Sequence, residues 1–125
     1  MHEDLPTLRR ELAILARRKR ARVLGWPRDW RPSEVCNPED SCPFTPAGAW
    51  EFIAEILEKR TDIALKPVTL DHPSGATGYV LIVPLQTDTV YIKLQIGAGK
   101  IIGRSFHYSI HGTDNEPRRP SQNSL

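Results

Sequence analysis

Apolar residues recur along the first part of the chain at steps of three and four: Leu5, Leu8, Leu12 and Leu15. That spacing lines one face of an α-helix. Ala13, Ala16 and Ala21 are strong helix formers, and Gly25 with Pro27 behind it predicts a stop near Leu24. From Trp26 to Phe44 no period is visible, and Pro27, Pro32, Pro38 and Pro43 interrupt the stretch. It is too long for an ordinary connection and reads as an irregular segment pinned to the body by Trp26, Trp30 and Val35. Thr45-Pro46 then sets a hydroxyl N-cap before a proline at the first helical position. The helix predicted from there to about Lys59 buries Ala49, Phe52, Ile53, Ile56 and Leu57, with Trp50 at the border and Glu51, Glu55 and Glu58 outward.

Beyond Lys59 the period changes to two. Ala64–Leu70 predicts a strand, and His72-Pro73-Ser74-Gly75 a turn. Tyr79–Val83 is continuously apolar, as in a central strand covered on both faces. Thr89–Ile96 alternates, with Val90, Ile92, Leu94 and Ile96 on one side and Tyr91, Lys93 and Gln95 on the other. Lys100–Ile110 alternates too, with Ile102, Phe106, Tyr108 and Ile110 opposed to Gly103, Ser105, His107 and Ser109. Two helices followed by three or four antiparallel strands predict an α+β fold with the helices on one face of the sheet. Residues 1–115 read as one domain and 116–125 as a polar, disordered tail.

Gly97-Ala98-Gly99 separates the last two strands and predicts a three-residue hairpin loop ending on a left-handed glycine. Ile96 would then pair with Lys100, Lys93 with Gly103, Tyr91 with Ser105 and Thr89 with His107. This register keeps Leu94 with Ile102 and Val90 with Phe106 on the apolar side. It gathers Tyr91, Lys93, Ser105 and His107 on one polar face, with Gln95 along the same strand; Arg104 breaks the parity of its strand and either snorkels to an edge or is carried towards the face by strand twist.

The composition is that of a globular chain: 125 residues, 39% hydrophobic and 26% charged. No apolar run approaches the roughly 20 residues that span a bilayer, and the N-terminus lacks an apolar leader, so a cytoplasmic protein without membrane contact is expected. The net charge of +2 conceals a segregation. Met1–Arg31 carries nine Lys/Arg against four Asp/Glu, whereas Pro32–Asp62 carries two against seven. The first helix, with Arg17, Arg18 and Arg20 among its cations, is either a phosphate-tracking surface or an ordinary solvated face. Cys36 and Cys42 do not form a CxxC pair. Two plain thiols, a disulfide or a metal site with a histidine remain open for them.

On the hairpin face the residue types match one chemistry. Cleaving RNA without a metal needs a base for the 2′-hydroxyl, an acid for the leaving oxygen and cations for the phosphate. His107, Tyr91, Lys93 and Arg104 supply these types, with Ser105, Gln95, Arg17, Arg18 and Arg20 as substrate contacts, and no cofactor is called for. A one-sided antiparallel sheet also exposes a polar face with no function attached. In that case the chain is a non-catalytic nucleic-acid- or protein-binding module that uses its arginine-rich helix.

Val90-Tyr91-Ile92-Lys93-Leu94, followed after the glycine turn by Ile101-Ile102-Gly103-Arg104-Ser105-Phe106-His107, resembles the C-terminal hairpin of MqsR-type toxins of the RelE-like ribonuclease group. The resemblance covers Val90–His107. It implies a helical layer on an antiparallel sheet, messenger-RNA endonuclease activity and a cognate antitoxin partner. It also implies that the family's catalytic tyrosine and lysine fall on Tyr91 and Lys93. Where the family has a lysine after Ser-Phe, this chain has His107, and its hairpin loop is one residue longer.

Overall fold

Both stretches of helical period form helices. Helix α1 spans Leu5–Arg17 and α2 spans Pro46–Lys59 in the computed structural model, which describes residues 5–71, 73–85 and 88–109. The turn position of His72, the strand end at Ile110, the tail at 116–125 and the side chain of Trp26 lie outside the described residues. Leu8, Leu12 and Leu15 are buried, as their spacing required. On α2 the Thr45 Oγ1 accepts the Gly48 N–H at 2.9 Å, and Pro46 takes the first turn. Trp50 lies deeper than expected, at 5% exposure.

The far end of α2 is capped from a distance by Arg9. Its Nε donates to the Leu57 carbonyl at 3.1 Å and its Nη1 to that of Ile63 at 2.8 Å. Its Nη2 serves the carbonyls of Ile56 and Arg60, each at 3.0 Å. The last carbonyls of a helix have no partner within it, and a cation also meets the negative end of its dipole. Burial pushes the Arg9 pKa down, against the opposing pull of Asp62. Arg9→Met keeps the stem and removes the donors. It is expected to lower stability by about 2 kcal/mol, read as a lower urea midpoint at unchanged slope.

The helix predicted to reach Leu24 ends seven residues earlier. Arg18 turns extended, Lys19–Ala21 form one 3-10 turn, and Arg22–Trp30 become a strand, β1. The segment from Trp26 is therefore strand at its start, not irregular throughout. Behind it come a 3-10 turn at Pro32–Glu34 and a short ribbon, β2 (Cys36–Asn37) with β3 (Cys42–Pro43). After α2 follow β4 (Lys66–Thr69), β5 (Thr77–Leu85), β6 (Asp88–Gly97) and β7 (Lys100–Tyr108).

Among the described residues the main sheet has five strands in the order β1-β7-β6-β5-β4. The three or four expected are thus joined by β1, which runs parallel to β7 and forms an edge. The other neighbours are antiparallel. The chain is α+β, two helices with a mostly antiparallel sheet.

Along β5 and β6, Tyr79, Leu81, Val83, Val90, Ile92 and Leu94 join one hydrophobic cluster with Leu12, Ile53 and Leu57 of the helices. Phe106 of β7 sits in it fully buried, ringed by Phe44 at 5.3 Å, Trp30 at 5.4 Å and Phe52 at 6.3 Å. Trp30 also stacks on Trp50 at 4.8 Å, so it packs as expected. Among the described residues no helix is long and apolar enough to cross a membrane.

Candidate functional site

The hairpin between β6 and β7 forms, with a different register. Its loop has two residues, Ala98 and Gly99, closed by the pair Gly97 and Lys100. Both loop residues have positive φ, 52° and 73°, as a turn matched to strand twist requires. Near the turn Leu94 faces Gly103 and Gln95 faces Ile102. An irregularity then adds one residue to β7, and Lys93 faces Ser105, Ile92 faces Phe106 and Tyr91 faces His107. The expected pairs Lys93–Gly103, Tyr91–Ser105 and Thr89–His107 are thus corrected by a slide of two residues. Beyond the irregularity a slide by an even number leaves side chains on their own faces, so Tyr91, Lys93, Ser105 and His107 stay together.

The extra residue is Arg104, and the bulge has a chemical consequence. Two consecutive residues of a bulged strand oppose one residue of its partner, which re-aims side chains. Ile102 moves to the outer face, and Gly103 turns to the cluster. There a Cβ would come within 2.6 Å of the Trp30 ring, so only glycine admits the indole. Arg104 runs beneath β1, where a Cβ at Gly25 would fall on its guanidinium. It is 8% exposed, and the same Cβ would also touch the Ile102 side chain.

β1 extends the face by one strand. Asp29 pairs with Ser105 and Trp30 with Phe106, and the Arg31 N–H donates to the Phe106 carbonyl at 2.8 Å. Two rows of side chains therefore cross the sheet on the side away from the hydrophobic cluster. One row is Asp29, Ser105 and Lys93. The next is Arg31, His107 and Tyr91. Val80 and Ile82 of β5 continue them as an apolar border, opposite Lys93 and Tyr91. The rings of Tyr91 and His107 stack at 5.5 Å.

Asp29 and Arg31 escaped the sequence reading. β1, which carries Asp29 and ends just before Arg31, has no alternation to expose it: Val23 and Leu24 are 40% and 38% exposed, and four of its residues stand opposite the single Arg104. The Asp29 Oδ2 lies 3.0 Å from His107 Nε2, and its Oδ1 accepts from Arg31 Nη2 at 3.0 Å. His107 Nδ1 is 2.9 Å from the Tyr108 carbonyl. Gln95 stands on the same face, one step past Lys93.

The arginines of the first helix are not gathered with this face. Arg17 donates to Glu58 through Nε and Nη2 at 2.9 and 2.8 Å and to Glu51 through Nη1 at 2.7 Å. Arg22 bonds the Ala16 carbonyl at 2.8 Å. Arg18 and Arg20 are exposed between α1 and β1, where Lys100 donates to the Arg20 carbonyl at 2.9 Å. Hydrogen bonding to Arg17 holds the Glu58 carboxyl below its ordinary range, and the same bond raises Arg17. The folded value of Glu58 is the lower one. Its contribution is therefore present above the unfolded carboxylate range and lost as pH falls through the folded value. Arg17→Ala is expected to cost no more than about 1 kcal/mol, because the pair is solvent-screened. Urea titrations at neutral and acid pH should show that difference vanish in acid.

Cys36 and Cys42 are exposed and unbonded. Cys36 pairs with Pro43 and Asn37 with Cys42, so the two thiols point to opposite faces of the ribbon. A disulfide between them would require the ribbon to re-pair. Among the described residues no three His, Cys, Asp or Glu side chains are grouped to hold a metal. The Cys36 N–H donates to the Tyr108 hydroxyl at 3.0 Å, tying the ribbon to β7.

A groove of about 560 Å³ lies elsewhere, between α2, the ribbon and the end of β5, lined by Phe52, Glu55, Val83 and Leu85 among others. None of the hairpin's polar residues lines it.

Comparison with protein-family models, curated proteins and solved structures finds no match for this chain.

Proposed function

We infer that this chain is a metal-independent endoribonuclease of the RelE-like kind, with its helices layered on one face of the sheet, and the toxin of a toxin–antitoxin pair in the cytoplasm. The observation that carries the reading is the juxtaposition of His107, Tyr91 and Lys93 on one sheet face, with Arg31 joined to it through Asp29 and the buried Arg104 in the same strand as His107. The likeness of Val90–His107 to the MqsR-type hairpin supports it. Lys93 and Arg31 hold phosphate oxygens, and Arg104 adds charge from a shielded position where it acts more strongly than in water. The His107 imidazole serves the 2′-oxygen or the leaving oxygen. Tyr91 orients the substrate, and Ser105 and Gln95 border it.

The test is regulated expression with transcripts followed alongside growth. The wild-type chain is expected to arrest growth and fragment messenger RNA, co-expression of its antitoxin to restore growth, and His107→Ala and Tyr91→Phe to relieve both effects. Normal growth with intact RNA would sink the reading.

A non-catalytic nucleic-acid-binding module draws on a different observation, the exposed Arg18, Lys19 and Arg20 next to Lys100. It predicts salt-dependent binding without turnover.

A further inference from the structure

Asp29 has no part in the ribonuclease chemistry as described so far, yet it holds two of that reading's residues. Its carboxylate is shared, Oδ2 towards His107 Nε2 and Oδ1 towards Arg31 Nη2, each at 3.0 Å. The other ring nitrogen of His107 is occupied as well, 2.9 Å from the Tyr108 carbonyl. Each nitrogen thus faces an oxygen that only accepts. A neutral imidazole donates from one nitrogen alone. Both contacts are hydrogen bonds together only in the doubly protonated ring. In that form the ring has a proton to give and no lone pair to accept one.

The charged and titratable groups around it are Asp29 from β1, Arg31 just past the end of that strand with Glu34 at 3.8 Å from its guanidinium, Tyr91 and Lys93 from β6, and Arg104 from its own strand. The histidine side chain is 16% exposed and that of Asp29 is 49% exposed. The carboxylate can therefore yield its place to an incoming oxygen while the ring stays seated between Tyr91 and the strand.

We propose that Asp29 is a positioning residue that holds His107 as the general acid for the leaving oxygen, with Arg31 aligned beside it for the phosphate. The proposal rests on the ribonuclease reading and gives His107 one role within it. The 2′-oxygen bonds to phosphorus while the bond from phosphorus to O5′ breaks. The 2′-hydroxyl proton goes to water. The Nε2 proton of His107 passes to the departing O5′, which takes the bonding electron pair with it. The products are a 2′,3′-cyclic phosphate and a 5′-hydroxyl, and His107 regains its proton from solvent.

The experiment compares two substrates on the full chain. One is an RNA oligonucleotide. The other is uridine 3′-(4-nitrophenyl phosphate), whose nitrophenolate departs without needing a proton. Asp29→Asn and His107→Ala are expected to lose on the order of 100-fold or more in RNA cleavage, and less than about tenfold on the nitrophenyl ester, where no acid is needed. Asp29→Glu should recover part of the loss on RNA. Retained activity on the ester shows that a variant is folded.

Equal losses on both substrates, or no loss for Asp29→Asn on RNA, overturn the assignment and leave the ribonuclease reading standing. Wild-type protein inert on both substrates overturns that reading, and the assignment with it.

Discussion

Replacing His107 with alanine is expected to slow RNA cleavage by about 10²–10⁴-fold and to leave the fold in place. The ring lies on the outer face, between the stacked Tyr91 and the carboxylate of Asp29, and does not belong to the hydrophobic cluster. Its removal leaves Asp29 still paired with Arg31, so no charge is stranded. The stability lost should therefore be about 1 kcal/mol, the scale of a partly exposed hydrogen bond. His107→Gln is the sharper variant, since an amide donates a hydrogen bond but does not release the proton. A glutamine variant as impaired as the alanine one locates the defect in proton transfer. Single-turnover cleavage and thermal unfolding on the same preparations measure both quantities. Near wild-type cleavage by either variant would remove His107 from the chemistry.

Phe106→Ala should produce the largest loss of stability, about 3–5 kcal/mol. Phe106 is fully buried and is the ring against which Trp30, Phe44 and Phe52 all pack. Those three come from β1, the segment before α2, and α2 itself. Truncation opens a cavity that none of them can fill without moving the other two. A domain of this size commonly holds about 5–15 kcal/mol in total, so the variant should be partly unfolded at physiological temperature. A urea titration should show a much lower midpoint at unchanged slope. A change below 1 kcal/mol would contradict the packing described here. Phe106 also lies between Ser105 and His107 in the strand, so loosening it blurs the site on the opposite face.

The amphipathic stretches were legible because each contains its own period. Leu8, Leu12 and Leu15, the Thr45-Pro46 start and the alternation of Val90–Leu94 can be read without knowing any partner. β1 was not legible. Parallel pairing to β7 gives an edge strand main-chain hydrogen bonds without demanding a buried face, and Val23 and Leu24 remain half in solvent. Propensity then favoured helix, and tertiary pairing overrode it. What the basic first helix meets was not legible for a related reason. Charge in a sequence does not say what it is near, and Arg9, Arg17 and Arg22 are engaged by carbonyls and carboxylates.

For this protein, sequence alone determined the two helical faces, the hairpin and the shared face of Tyr91, Lys93, Ser105 and His107, because those follow from periods of 3.6 and 2 within each segment. Only the tertiary structure decided who stands opposite whom. A two-residue turn and a bulge at Arg104 slid His107 to Tyr91, and a strand from a distant part of the chain brought Asp29 and Arg31 alongside. Such pairings depend on loop closure and on packing around Trp30 and Gly103, and no local pattern records them.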